Sequence, residues 1–147
     1  MMAEKEILKG VSLFKSLSLK HLKAIEKACV TRGFQPGEKL IEQGAQGVGL
    51  FIIEMGKVKV TKTRDDGTSF IIAEHGPGEV IGEMSILDGA PRTATVEALE
   101  PTTCWVLSSW SFQSIMEAHP EVAVGILPMV VKRFRETNEA LLRVRGE

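Results

Sequence analysis

The sequence predicts a mainly β protein, an all-β roll or barrel flanked by N-terminal helices and a long C-terminal helix. Residues 31–107 consist of short β-branched runs broken by glycine-containing turns, which is typical of many short strands. The residues on either side have apolar side chains at helical spacing. With 147 residues, 44% of them hydrophobic and 25% charged, we expect one domain over residues 1–147.

Residues 1–29 are predicted to be helical. Leu22 and Ile25 belong to an apolar stripe opposite a face of lysines, and Ser18 precedes the stripe where an N-cap residue is expected. A short helical segment of this kind must bury its apolar face against another part of the chain.

Residues 30–108 are predicted to form the roll. Valines at 58 and 60 alternate with polar residues, which indicates a strand with one buried face. The turn sequence Asp65-Asp66-Gly67 follows, and Phe70-Ile71-Ile72 comes after it. This order predicts a β-hairpin.

Residues 109–147 return to a helical pattern. Ser109 or Ser111 is the expected cap of a first helix, and Pro120 ends it and opens a long helix to about Val144. We expect Pro128 to kink the long helix or to split off its first two turns. Spacings of four and three along this helix predict a coiled-coil seam formed by Leu127, Val131, Phe134, Asn138 and Leu141.

Charge and hydropathy exclude several classes of protein. Eighteen Lys and Arg against nineteen Asp and Glu give a net charge of -1, which does not favour a polyanionic partner. The longest apolar run, residues 122–131, is too short to cross a bilayer, which takes about 20 residues. Because charges occupy the N-terminal residues where a signal peptide is apolar, we expect a cytoplasmic location and no membrane partner.

Histidine and cysteine spacing does not indicate a metal site. His21, His75 and His119 are far apart in the sequence, and neither HxH nor HExxH occurs. Cys29 and Cys104 lack CxxC spacing and are interpreted as thiols without a metal or disulfide. We therefore expect no metal ligands, no cofactor and no catalytic residues.

The most informative segment is residues 80–96. Gly82 removes a side chain where something must approach the backbone, and residues 84–87 can form a helical turn whose first N–H groups attract an anion. Arg92 supplies a planar, permanent positive charge suited to phosphate. Glu83 repels phosphate, so a sugar hydroxyl is its expected partner. The segment predicts a ligand with one anionic phosphate beside a ribose.

This segment, with Gly82-Glu83 followed by Pro91-Arg92-Thr93-Ala94, closely resembles the phosphate-binding cassette of cyclic-nucleotide-binding domains. The family includes the catabolite activator protein and the regulatory subunits of cyclic-AMP-dependent kinase, and the resemblance extends over about residues 12–145. It implies an antiparallel double-stranded β-helix, or jelly-roll β-roll, with the cassette at residues 80–96. It also implies non-catalytic binding of a 3',5'-cyclic purine nucleotide by a sensor or regulatory module.

The resemblance implies a role for each matching residue. Glu83 looks like the carboxylate that binds the ribose 2'-hydroxyl, and Arg92 like the residue that pairs with the cyclic phosphate. Residues 133–138 resemble the part of the long helix that reaches the adenine. The other implied contacts are Gly82, the backbone of Met84, Ser85, Thr93 and Ala94 around the phosphate, Val60 and Ile72 beneath the sugar and base, and Thr137 and Asn138 at the base.

Several alternatives stay open. Cyclic AMP is the expected ligand because Thr137 and Asn138 suit the adenine amino group, and cyclic GMP is second because a Thr93 hydroxyl can bond guanine. Alternatively, Glu83 and Arg92 form an internal ion pair in a protein-interaction domain that binds no nucleotide. The basic side chains of residues 132–145 are interpreted as a solvated helix face.

The expected partners follow from the same resemblance. Family members pair their long helices, which predicts a homodimer, with a helix folded back in a monomer as the alternative. Relatives that regulate transcription continue into a DNA-binding domain, and we expect none in this chain. The sequence does not identify the effector protein.

Overall fold

Short strands form the centre of the molecule, and helices lie at both ends of the chain. The computed structural model describes residues 7–47 and 49–145, so the outer ends of the helical regions predicted at 1–29 and 109–147 lie outside the described residues. The strands are β1 (Val30–Phe34), β2 (Lys39–Ile41), β3 (Gly49–Met55), β4 (Val58–Thr63), β5 (Ser69–His75), β6 (Val80–Ile81), β7 (Thr95–Ala98) and β8 (Thr102–Ser108). The helices are α1 (Leu19–Ala28), α2 (Ser85–Asp88), α3 (Ser109–Ala118) and α4 (Pro120–Val144), with 3-10 turns at Leu8–Gly10 and Ser12–Phe14.

The strands form two four-stranded sheets in the orders β1-β8-β3-β6 and β2-β7-β4-β5. Every strand pair is antiparallel. The predicted hairpin is confirmed, because β4 pairs with β5 across the turn that contains Asp65-Asp66-Gly67. The mainly β fold with flanking helices and a long C-terminal helix is therefore confirmed.

Strand β3 is buried on both faces, and this explains its continuous apolar sequence. Phe51 and Ile53 point between the two sheets, where they join a core with Val58, Val96 and Cys104. The alternate residues of β3 face the helices, in a second core that contains Leu50, Ile52, Phe14, Phe112 and Ile126. One strand thus joins the interior of the roll to the helical layer.

The helix caps follow the sequence with one correction. The hydroxyl of Ser18 accepts a hydrogen bond from the backbone N–H of His21, so the expected cap of α1 is confirmed. The expected cap of α3 at Ser109 or Ser111 is wrong. The helix begins at Ser109, and the cap is the preceding Ser108. Its backbone is extended, and its hydroxyl accepts from the N–H of Ser111 at 3.2 Å.

Helix α4 begins at Pro120, as expected, but its first two turns are not split off at Pro128, so of the two predicted effects of this proline the split does not occur. The helix is continuous over Pro120–Val144. Buried side chains precede Pro128 at Val122 and Ile126, and Met129 and Val130 pack on the same core after it. Packing on both sides of the proline holds the helix in one piece.

The longest apolar run of the sequence, residues 122–131, lies in helix α4. Among the described residues, no single helix is both long enough and apolar enough to cross a bilayer. Only α3 and α4 counted together reach that length and composition, and the chain bends by 118° between them.

Candidate ligand-binding site

A cavity of about 550 Å³ lies between the β2-β7-β4-β5 sheet, the segment at residues 80–96 and helix α4. This volume falls within the range of small-molecule sites in proteins. Among the predicted contacts, its wall contains Val60, Gly82, Glu83, Met84, Ser85, Arg92, Thr93 and Ala94. The cavity therefore brings one strand residue together with the cassette.

Arg92 lines this cavity and is only 9% exposed. Its Nη2 donates to the backbone carbonyl of Gly49, and its Nη1 donates to Ser85 Oγ at 2.8 Å. Among residues 7–47 and 49–145, no carboxylate oxygen lies within ion-pair distance of its guanidinium. Arg92 is thus a buried cation held by neutral acceptors.

Gly82 makes room for that cation. Its φ is +74°, a conformation that side chains disfavour, and a Cβ here would overlap Nη1 of Arg92. The group that approaches the backbone at Gly82 is therefore the protein's own arginine.

The segment before Arg92 is tied to the loop between β2 and β3. The N–H of Arg92 donates to the carbonyl of Ala45 at 2.8 Å, and the N–H of Gly44 donates to the carbonyl of Arg92 at 2.8 Å. Gln46 Nε2 also donates to the carbonyl of Gly89 at 2.8 Å. These bonds fix the backbone from which the arginine projects.

The electrostatics of Arg92 favour an anionic ligand. Burial lowers the pKa of its guanidinium, but an arginine keeps its proton in proteins. Two neutral acceptors leave N–H donors of the guanidinium available, since the group carries five. A partly desolvated cation with spare donors attracts an anion with paired oxygens.

Glu83, 11% exposed at its side chain, does not pair with Arg92. Its Oε1 accepts from Ser12 Oγ at 2.5 Å and from the N–H of Leu13 at 3.0 Å. Its Oε2 pairs with Arg133 Nη2 at 3.1 Å, and the same nitrogen donates to Ser12 Oγ at 2.8 Å. The alternative of an internal Glu83–Arg92 ion pair is therefore wrong.

Sequence reasoning did not find Ser12 and Arg133 as partners of the cassette. They are 121 residues apart, so no local pattern relates them. Arg133 belongs to the basic residues that were interpreted as a solvated face, and the structure corrects this for Arg133, which lines the cavity. The sequence feature that could have identified Arg133 is its position in residues 133–138, the helix segment that the resemblance assigns to the ligand.

Ser85 contributes through its side chain. Its backbone N–H donates to the carbonyl of Gly82 at 3.0 Å, inside the turn that leads into α2. Its hydroxyl instead accepts from Arg92. The backbone N–H that was predicted to face the phosphate thus donates to Gly82, and the side chain of the same residue positions the arginine.

The cavity wall does not include Ile72, Thr137 or Asn138. In the β4–β5 pair, Val60 lies opposite Ala73 and a register shift follows between Val60 and Thr61. Since directly opposed residues face the same side, Ala73 shares the face of Val60, and Ile72 is exposed. Thr137 and Asn138 are exposed on α4, beyond Arg133.

Comparison with known proteins agrees with this fold. The family model described as the cyclic nucleotide-binding domain matches residues 31–119, which include the cassette. The chain belongs to the cyclic nucleotide-binding domain family. The matching proteins include a cyclic AMP receptor protein and a regulatory subunit of cAMP-dependent protein kinase.

Three relatives illustrate the match. The cyclic AMP receptor protein of Thermus thermophilus is 30% identical over 131 residues, 89% of this chain and 61% of the relative. The CRP-like cAMP-activated global transcriptional regulator of Mycobacterium tuberculosis is 28% identical over 136 residues, 92% of this chain and 61% of the relative. The crystal structure of the N-terminal domain of a Streptomyces coelicolor transcriptional regulator superposes with a TM-score of 0.83 at 33% identity, covering 92% of this chain and 94% of that one. The chain thus spans about three fifths of the length of the first two relatives.

The first prediction concerns Gly82. We expect Gly82→Ala to lower the free energy of unfolding by about 2 kcal/mol more than Gly37→Ala does, because its Cβ displaces a buried, hydrogen-bonded cation. Gly37 is the matched control, since its φ is +89° but nothing lies within 4 Å of an added Cβ. Urea denaturation of the two variants measures the difference.

A double-mutant cycle identifies the cause. In an Arg92→Ala background, the added methyl group no longer meets the guanidinium and only its 3.0 Å approach to the carbonyl oxygen of Gly49 remains, so most of the excess cost of Gly82→Ala should disappear. An undiminished cost in that background would contradict the assignment of Gly82 to the arginine.

Proposed function

We propose that the chain binds a 3',5'-cyclic purine nucleotide non-covalently and works as a sensor or regulatory module. The observation that carries the proposal is the pairing, in one cavity, of a buried cation without a carboxylate partner and a carboxylate that faces the same space. A cyclic nucleotide has an anionic phosphate and a ribose hydroxyl next to each other, so it offers one complementary group to each side chain.

The phosphate is assigned to Arg92. A cyclic phosphodiester carries one negative charge shared by two non-bridging oxygens, which suits the fork of a guanidinium. The backbone of Thr93 and Ala94 lies in the same wall and offers further contacts at this end of the ligand.

The ribose 2'-hydroxyl is assigned to Glu83. A carboxylate oxygen accepts about two hydrogen bonds, and Oε1 already accepts from Ser12 and Leu13. Oε2 is engaged by Arg133 and has capacity for one more donor. A 2'-hydroxyl can therefore bind Glu83 without breaking the existing contacts.

Cyclic AMP is the proposed nucleotide, with cyclic GMP as second choice. Thr137 and Asn138 suit the adenine amino group, although both lie on α4 outside the wall of a single chain. We infer that they contact the base when α4 closes over the ligand or belongs to a paired chain. Thr93 lines the cavity and supports the cyclic GMP alternative.

Arg133 couples the nucleotide site to helix α4. The residue projects from the middle of α4 and reaches Glu83 in the cassette and Ser12 in the N-terminal 3-10 turn. A nucleotide that bonds to Glu83 changes the electrostatic environment of Arg133. Different affinities of the ligand for two positions of α4 would shift the equilibrium between them.

We further propose that α4 pairs with a second copy of the chain. Val122 and Ile126 pack on the chain's own core, but the seam predicted from the sequence is exposed, and Phe134 on it is 67% exposed. The seam contains Leu127, Val131, Phe134, Asn138 and Leu141. An exposed apolar stripe of this length is typical of an interface.

We propose binding without hydrolysis, in agreement with a family defined by ligand binding. The cytoplasmic location stays a prediction. A protein-interaction domain that binds no nucleotide is the alternative function, and the exposed stripe on α4 is the observation that favours it.

The second prediction tests the phosphate role of Arg92. Isothermal titration of the wild-type protein with cyclic AMP and cyclic GMP in parallel should show binding, with cyclic AMP preferred. Arg92→Ala should weaken binding about a hundredfold, or roughly 3 kcal/mol, since one charge-assisted bidentate contact is lost. Arg32→Ala, which removes an exposed arginine on β1, is the matched control and should leave affinity unchanged.

Two results would count against this proposal. If wild-type protein and Arg92→Ala bind the nucleotide with equal affinity, Arg92 does not bind its phosphate. Absence of heat with both nucleotides in the wild type favours the interaction-domain alternative.

The third prediction concerns the homodimer. Sedimentation velocity should show a dimer for the wild type, and Phe134→Glu should weaken association at least about a hundredfold, because a carboxylate would be buried without a partner. Ala140→Glu places the same charge on an exposed position of α4 outside the seam and should remain dimeric. A wild-type monomer with and without nucleotide would contradict the pairing.

A further inference from the structure

Two histidines and a glutamate meet at the corner where α1 packs beside the α3–α4 junction. His21 lies in the first turn of α1, His119 joins α3 to α4, and Glu121 is the second residue of α4. Glu121 Oε1 is 3.2 Å from His21 Nε2 and 3.8 Å from His119 Nδ1. Sequence spacing gave no reason to group these residues, since His21 and His119 are 98 positions apart.

The three side chains present one potential ligand atom each to a shared space. These atoms all lie within 4.8 Å of one another, and the two imidazole rings have centroids 5.4 Å apart. In a tetrahedral zinc site, bonds of about 2.0–2.2 Å place neighbouring ligand atoms about 3.3 Å apart. The two measured distances to Glu121 Oε1 are close to this spacing.

Ser18 orients the histidine of α1. Its hydroxyl, which caps the helix, lies 3.0 Å from His21 Nδ1 and accepts from the His21 backbone N–H. A proton on Nδ1 can be donated to this hydroxyl, which leaves the Nε2 lone pair directed at Glu121. Metal-binding histidines are commonly held by such a hydrogen bond on the second ring nitrogen. His21 is also the most enclosed ligand, with a side chain 12% exposed.

We propose that His21, His119 and Glu121 bind a divalent transition metal ion, with zinc as the ion that fits best. Two imidazole nitrogens and one carboxylate form a ligand set suited to zinc, whereas calcium and magnesium prefer oxygen ligands alone. The Glu121 side chain is 58% exposed, so water has access to the fourth position. No protein group is assigned to that position.

The metal would join two parts of the helical layer that are otherwise held by packing and by the contact between His21 and Glu121. Its ligands come from α1 and from the corner between α3 and α4, so a bound ion links the N-terminal and C-terminal helices. Arg133 lies twelve residues beyond Glu121 on α4, about 18 Å along the helix axis. The metal site is therefore separate from the nucleotide cavity and does not depend on the proposed function.

Zinc titration of untagged protein, stripped of metal with a chelator, tests the proposal. Wild-type protein should bind one zinc ion per chain. His119→Ala and Glu121→Gln should each weaken zinc binding at least about tenfold, since one of three ligands is lost. Glu121→Gln is the key variant because the side chain is exposed and the substitution preserves its shape.

Controls separate this site from general histidine binding. His75→Ala removes the remaining histidine, which pairs with Glu79 away from the cluster, and should bind zinc as the wild type does. Arg92→Ala should also keep its zinc affinity. At about a hundredfold excess over the dissociation constant, zinc should raise the melting temperature of wild type by roughly 5–10 °C, and Glu121→Gln should lose this shift.

The proposal has clear contrary outcomes. Absence of zinc binding in the wild type would overturn it, as would an affinity unchanged in both His119→Ala and Glu121→Gln. Equal loss in His75→Ala would place the ion elsewhere and would also overturn it.

Discussion

The buried guanidinium of Arg92 is the constraint on which the site depends. A charged group with so little contact with water needs hydrogen-bond acceptors, and Ser85 and the backbone of Gly49 supply them. The same group excludes any side chain at residue 82, so the glycine follows from the arginine. The cassette is therefore a set of residues arranged around one cation, and we propose that the phosphate of a nucleotide is the anion that pairs with it.

Glu83 extends this local arrangement to the rest of the chain. It holds Ser12 and the backbone of Leu13 from the N-terminal 3-10 turn, and it pairs with Arg133 from α4. Both of these segments pack on the outer face of β3, whose inner face lines the roll. The carboxylate thus connects the cavity to the helical layer through polar contacts, while β3 connects them through the core.

The sequence predicted those features that local patterns determine. Alternating valines and the Asp65-Asp66-Gly67 turn located the hairpin, and the order of glycine, glutamate and arginine located the cassette. Contacts between distant segments were not predictable, because Ser12, Glu83 and Arg133 share no periodicity. The proximity of His21 and His119 was not predictable for the same reason. Ile72, which the resemblance assigned to the ligand, is exposed outside the cavity wall, so its contact with the ligand stays a prediction.

We propose that the cavity distinguishes the two ends of one ligand, with Arg92 at the phosphate and Glu83 at the ribose hydroxyl. The most direct test compares cyclic AMP with 2'-deoxy cyclic AMP, on wild-type protein and on Glu83→Ala, by calorimetry. Wild-type protein should bind cyclic AMP at least about tenfold more tightly than the deoxy analogue, since a hydrogen bond to a carboxylate contributes roughly 1.5–3 kcal/mol. Glu83→Ala should bind both nucleotides equally. A preference for the hydroxyl that survives in Glu83→Ala would contradict the account.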